Sequence, residues 1–347
     1  MLLATTQIGG LLALLTTKNW SSPRPACYDT DVYPHVIDHP FHLMSKKITP
    51  AVSNQRIMAL CTEESHVEFA GPNLVTIENE KEQTGLYDVT TEQFIIPQKY
   101  DFITPLTDDL FQVHQGEAGG LYSLTAQKLV VPVKYEMILP TGDEQHLLFA
   151  LYTAEEKVGL FDPTRNSIIA PAKFDAVQYL TTGWYIVSKG DQHGLFSGSD
   201  ATQVQPAKYK NIILTEDGTH VIVEQKEKVG VFSLQERAMV VPTQFTHIYE
   251  HSDGILELEK KDKVGLYSLI EHKTLLENKY DQLVQLTDTL YEVATTKGVG
   301  LYCTKRQELI APTEYEGITL LSNSLARVFR PDETEGFYNL KTKKEVA

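Results

Sequence analysis

A glycine followed by an apolar residue and then Tyr or Phe recurs eight times in this chain, at Gly85, Gly120, Gly159, Gly194, Gly230, Gly265, Gly300 and Gly336. The intervals are 35, 39, 35, 36, 35, 35 and 36 residues. Twelve residues after each of the first seven glycines a second phrase begins: PQKY at Pro97, PVKY at Pro132, PAKF at Pro171, PAKY at Pro206, PTQF at Pro242, ENKY at Glu277 and PTEY at Pro312. Two phrases held in phase over seven periods describe an array of one supersecondary unit.

Within a unit the apolar residues alternate in twos. LFQVHQ at Leu110–Gln115 sets Phe111 and Val113 on one face and Gln112 and His114 on the other, and LYEVAT at Leu290–Thr295 behaves alike. The runs FIIP, LVVP, IIAP and MVVP are short, β-branched and followed by proline, as strands at a sheet edge are. Four strands of about five residues with four turns of about four fill a period of about 36. The fold expected is all-β: a β-propeller of about eight four-stranded blades, with seven blades or an open β-repeat stack as alternatives. The repeats cover residues 65–347, and residues 1–64 form an N-terminal extension. The first unit offers only HVEF as its first strand, and the last ends in a shortened KEVA, as terminal units do.

What recurs in every copy serves the fold. The glycine is expected to leave a bare spot on its strand for the ring of a KY or KF phrase. Proline is expected to end the fourth strand. Lys99, Lys134, Lys173, Lys208 and Lys279 precede those rings and lay their stems on apolar surface. An acid follows the ring at Asp101, Glu136, Asp175, Asp281 and Glu316. These acids are either turn carboxylates satisfying nearby N–H groups or a ring of charge at a channel mouth, where a cation or amine would bind.

The order of phrases in EKVGVFSLQERAMVVPTQF and KKDKVGLYSLIEHKTLLENKYD resembles the WG-repeat proteins of bacteria through residues 81–347. The Trp of that family's motif is replaced throughout, by Thr84, Gly119, Val158, His193, Val229, Val264, Val299 and Glu335. The resemblance implies a repeat architecture and binding, not a named activity.

The formal net charge is −15. Residues 1–64 are balanced, so the repeats carry all of it, and an acidic body repels phosphate backbones, which argues against nucleic acid as a partner. Cys27, Cys61 and Cys303 form no CxxC pair, and a Cys27–Cys61 bridge is open only to an exported chain. Leu2–Leu15 is apolar but too short to span a bilayer. No basic residue precedes it and no A-x-A site follows, so a signal peptide and a packed helix, and with them export and a cytoplasmic location, both stay open. Asn19 begins an NWS sequon.

No catalytic, nucleotide or dinucleotide phrase is present, and no cofactor is expected. His35, His39 and His42, near Asp29, Asp31 and Asp38, have the spacing for one zinc, but Pro34 and Pro40 break any helix that would align them. The 39-residue interval places a surplus in LPTGDEQH, Leu139–His146, expected to be an exposed loop with Asp143, Glu144 and His146 as polar tips for a partner. The function expected is a non-catalytic binding or scaffold protein for a protein or peptide. The rival is an enzyme with its site at a channel mouth, for which Asn211, His247 and Gln282 are the unrepeated candidates.

Overall fold

The computed structural model describes residues 66–346. The zinc candidates His35, His39 and His42, the Cys27–Cys61 pair, Asn19 and segment 2–15 lie outside the described residues. The rest is all-β, with 32 strands and a single 3-10 turn at Ser252–Gly254. The strands form eight four-stranded antiparallel sheets, each a meander of consecutive strands, spanning 67–100, 102–135, 137–174, 176–209, 211–245, 247–280, 282–315 and 317–346. These are propeller blades in connectivity, eight in number. No helix among the described residues is long and apolar enough to cross a membrane.

The sheets bury their faces against one another, and the two residues after the glycine divide the work. The first of them points toward the following sheet. Leu301 shares a cluster with Ile318, Ala326 and Tyr338 of the eighth sheet. The second points back, so Tyr302 packs with Leu266 and Leu276 of the sixth. The same division holds at every junction from the first sheet to the eighth. Where the second residue is Tyr, its hydroxyl can reach the preceding sheet. Tyr122 donates to the Ile95 carbonyl at 3.2 Å, Tyr267 to Val240 at 3.2 Å and Tyr302 to Leu275 at 2.5 Å. Phe161, Phe196 and Phe232 fill the same position without that bond, each fully buried or nearly so.

Two expectations about the repeated residues are corrected. Proline does not end the fourth strand. In sheets one to seven that strand runs eight residues, from Gln93 to Tyr100 in the first, with the proline, or Glu277 in the sixth sheet, exposed in mid-strand. Proline is tolerated there because the strand is at the sheet edge, and a register shift beside each glycine bends it. The repeated ring therefore closes the fourth strand. Nor does a ring lie on the glycine. A Cβ at any of the first seven glycines would fall within 2.8 Å of a carbonyl oxygen of the fourth strand, as Gly120 does against Val131. The bulged strand leaves room for a hydrogen and nothing larger. The rings of Tyr100, Tyr135, Phe174, Tyr209, Phe245, Tyr280 and Tyr315 are buried in the forward junctions instead. The five repeated lysines bring Nζ within 5.4 Å of the ring that follows.

Seven residues beyond each glycine, at Glu92, Gln127, Asn166, Ala201, Arg237, His272, Gln307 and Lys343, the backbone is left-handed, with φ between 48 and 60°. Only one is Asn and none is Gly. The conformation turns several of these side chains back toward the preceding sheet. Arg237 pairs with Asp200, His272 with Glu236 at 3.0 Å, Gln307 with Glu271 at 3.3 Å, and Lys343 with Glu308. Arg165, one residue earlier in its own turn, reaches forward to the Gly198 carbonyl at 2.8 Å. A polar chain thus links the turns between third and fourth strands from the third sheet to the eighth.

The array does not end as it runs. Among the described residues the first and eighth sheets share no hydrophobic cluster. The eighth sheet's fourth strand is only Lys344–Val346, as the KEVA ending suggests. Arg330 fills the place beside Gly336 that fourth-strand backbone takes elsewhere, and donates to the Glu335 carbonyl at 3.1 Å and to Glu345 at 2.6 Å.

Candidate functional site

The longest interval in the repeat produces the deepest departure from it. In the third sheet the first strand, Met137–Thr141, pairs with Leu148–Tyr152, so the surplus is a loop of residues 142–147 and the segment Leu139–Thr141 is strand. Gly142 enters the loop at a φ of +106°, where a side chain would meet the His146 carbonyl. Asp143 then folds the loop on itself, its Oδ1 accepting the backbone N–H of Gln145 at 2.9 Å and of His146 at 2.8 Å.

The fourth sheet holds this loop. The Tyr179 hydroxyl donates to Asp143 Oδ2 at 2.6 Å, and the buried Tyr185 hydroxyl donates to the His146 carbonyl at 3.2 Å. The Tyr179 bond holds the Asp143 carboxyl below its usual range. Burial pushes the Tyr185 phenol up. The two rings meet edge to face, with centroids 5.8 Å apart.

A second wall comes from the turn after the third strand of the third sheet, Val158–Asp162. Thr164 and Arg165 both bind Asp162, at 2.7 and 2.9 Å, and Arg165 spans to the carbonyls of Gly198 and Ser199. Between the walls lies a cleft of about 220 Å³, lined among others by His146, Leu148, Asp162, Arg165, Tyr185 and Ser199. It is smaller than the roughly 300–1,000 Å³ of small-molecule sites. Three of the Arg165 donors are committed to Asp162 and to the carbonyls of Gly198 and Ser199, so the cleft offers shape and carbonyl edges more than free charge.

The three expected polar tips differ in their surroundings. Asp143 is half-buried and braces the loop, while the His146 side chain stays 38% exposed with its Nδ1 buried, without a hydrogen bond and 3.4 Å from Asp143. Glu144 alone stands exposed at the rim. Three of the five acids after the rings have local partners. Asp101 accepts the Gly116 N–H and Asp175 the Gly190 N–H, each at 2.6 Å, while Lys157 and Lys263 pair with Asp175 and Asp281. Asn211, His247 and Gln282 are exposed on three different sheets, and no hydrogen bond or ring contact joins any two of them among the described residues.

A second cluster escaped the sequence reading. His220 is 5% exposed at the start of the second strand of the fifth sheet. The matching position holds Leu74, Leu110, Leu148, Trp184, Ile255, Leu290 and Leu325 in the other sheets, so aligning the copies ten or eleven residues before each glycine would have found it. His220 Nδ1 lies 2.8 Å from Thr219 Oγ1 and 3.3 Å from Asp217 Oδ2, and Nε2 is buried without a hydrogen-bond partner. The ring meets His272 edge to face at 5.6 Å. Burial alone would raise the Asp217 pKa, but hydrogen bonds from Thr215 and Thr219, and His220 beside it, take it down to about 2. Among the described residues no group of three or more His, Cys, Asp or Glu is placed to hold a metal ion.

No protein-family model matches the chain, and no curated protein matches it. Among solved structures, it is similar to the computationally designed Ika8 protein at 11% identity and a TM-score of 0.23, over 80% of this chain and 98% of that one. It is also similar to the dihydro-heme d1 dehydrogenase NirN, solved in complex with DHE, at 14% identity and a TM-score of 0.23, over 81% of this chain and 74% of that one. Likenesses this distant carry no functional argument, and what describes the chain is its own structure: a repeat protein of eight four-stranded, propeller-type blades.

Proposed function

We propose that this chain is a non-catalytic binding protein that receives a protein or peptide partner on the loops between first and second and between third and fourth strands, with the cleft beside Glu144 as the docking point. The supporting observation is the lengthened hairpin of residues 142–147, pinned by Tyr179 and Tyr185 into one wall of that cleft. A loop held in one conformation before binding avoids the cost of ordering it on contact. Such a loop on a rigid sheet frame is a recurrent setting for recognition. The net charge of −15 favours a partner with basic or neutral contact groups over a phosphate backbone.

Affinity capture with mass spectrometry, run on the wild type and on Ser199→Trp, tests this. The indole fills the cleft from its rim without touching the Asp143 braces. A partner retained by the wild type and lost from a Ser199→Trp protein of unchanged melting temperature supports the assignment. Retention of every partner by that variant removes the cleft from consideration.

A further inference from the structure

The first residue after the glycine is 0% exposed in seven sheets, at Leu86, Leu121, Leu160, Leu195, Val231, Leu266 and Leu301. In the eighth it is Phe337, 47% exposed. Its cross-strand neighbour Val346 is 48% exposed, where the matching Ile96, Val131 and Ala170 are buried. The forward face of the eighth sheet is thus built to the apolar pattern that seven other sheets bury, and nothing described covers it. We propose that this face pairs with the same face of a second copy of the chain, forming a two-fold symmetric dimer.

The first sheet of this chain, or of a neighbour stacked head to tail, is a poor occupant. Its backward face, with Val75, Ile77 and Tyr87, is already buried. An isologous contact needs a surface that complements itself, and this face does. Arg327 lies across from Phe337 on the adjoining strand, and Glu335 precedes Phe337 by two residues on its own. Within one copy their charges stand 3.8 Å apart, both substantially exposed. A two-fold axis beside Phe337 stacks the two rings and sets each Arg327 against Glu335 of the other copy. Electrostatic repulsion is also least here. Residues 317–347 hold five basic and four acidic side chains, a net charge of +1 in a chain of −15.

The face is small. Four strands about 4.8 Å apart and five residues long cover on the order of 300 Å², against roughly 800 Å² per partner in a standard interface. The dimer is therefore weak and concentration-dependent.

Sedimentation equilibrium of the full chain from about 1 to about 500 micromolar reads the assembly directly. The expected mass rises from monomer to dimer and stops there. Phe337→Glu weakens association at least tenfold at an unchanged melting temperature, since the ring is exposed in the monomer. Val346→Glu gives the same loss and serves if the first variant fails to fold. Arg327→Glu alone weakens the dimer, and the exchange Arg327→Glu with Glu335→Arg restores it. A mass that stays monomeric throughout overturns the proposal, as does growth beyond the dimer or a dimer indifferent to a folded Phe337→Glu or Val346→Glu.

Discussion

The Val241 carbonyl stands where a side chain at position 230 would begin: a Cβ on Gly230 would lie 2.6 Å from that oxygen. Backbone of a bulged strand cannot swing aside as a side-chain tip can. Gly230→Ala is expected to cost about 2–3 kcal/mol by forcing the fourth strand outward. Gly336→Ala, where only the Arg330 side chain intrudes, is expected to cost less than about 1 kcal/mol. Urea denaturation of both variants decides it, and equal losses would mean that the bulge is not what demands glycine.

The left-handed residue of each third turn sets up a contrast between Ala201 and His272. Ala201 has φ 59° and no polar side chain to use it. Ala201→Gly relieves the conformational strain and should stabilise the protein by about 0.5–1 kcal/mol. His272→Gly relieves the same strain but loses the Glu236 pair at 3.0 Å, and should show no gain. Thermal melts of the two variants side by side measure the difference.

His220 is the polar member of a position otherwise filled by Leu, Ile or Trp. His220→Leu removes a buried nitrogen without a hydrogen-bond partner, while Asp217 keeps Thr215 and Thr219. Stability should rise by about 1 kcal/mol. A fall in the melting temperature would show that the Thr219 and Asp217 contacts outweigh the orphaned nitrogen.

His251 joins the sixth and seventh sheets, with Nε2 3.0 Å from Glu257 Oε2 and Nδ1 3.3 Å from Gln285 Oε1. Hydrogen bonding to Glu257 raises its pKa from 6.5 against the opposing effect of burial. A raised folded pKa means that the contribution is complete below the unfolded value of 6.5 and is lost as pH rises through the folded one. The stability gap between wild type and His251→Asn should be widest below pH 6.5 and shrink as the pH rises above it. A gap independent of pH would show that the imidazole acts only by packing.

The number of sheets was legible because glycine and proline mark each third and fourth strand in fixed phase. The role of those residues was not. Whether Pro132 stops a strand or rides on its open edge depends on what lies beyond that edge, and the blocker at Gly120 is backbone eleven residues away. The same limit applies to the candidate site. Counting residues located the long hairpin, but Asp143 turns inward because of Tyr179, 36 residues on in the next sheet. His220 was within reach of the sequence, since the exception shows once the copies are aligned on their glycines.

The shared hydrophobic clusters join each sheet to its immediate neighbours, so the molecule has the cooperativity of a one-dimensional lattice. Among the described residues an interior sheet shares clusters with two neighbours and the eighth with one. With one described junction against two, the eighth sheet should open more readily than the interior ones, with amides of residues 317–346 exchanging with solvent before those of the fourth and fifth sheets.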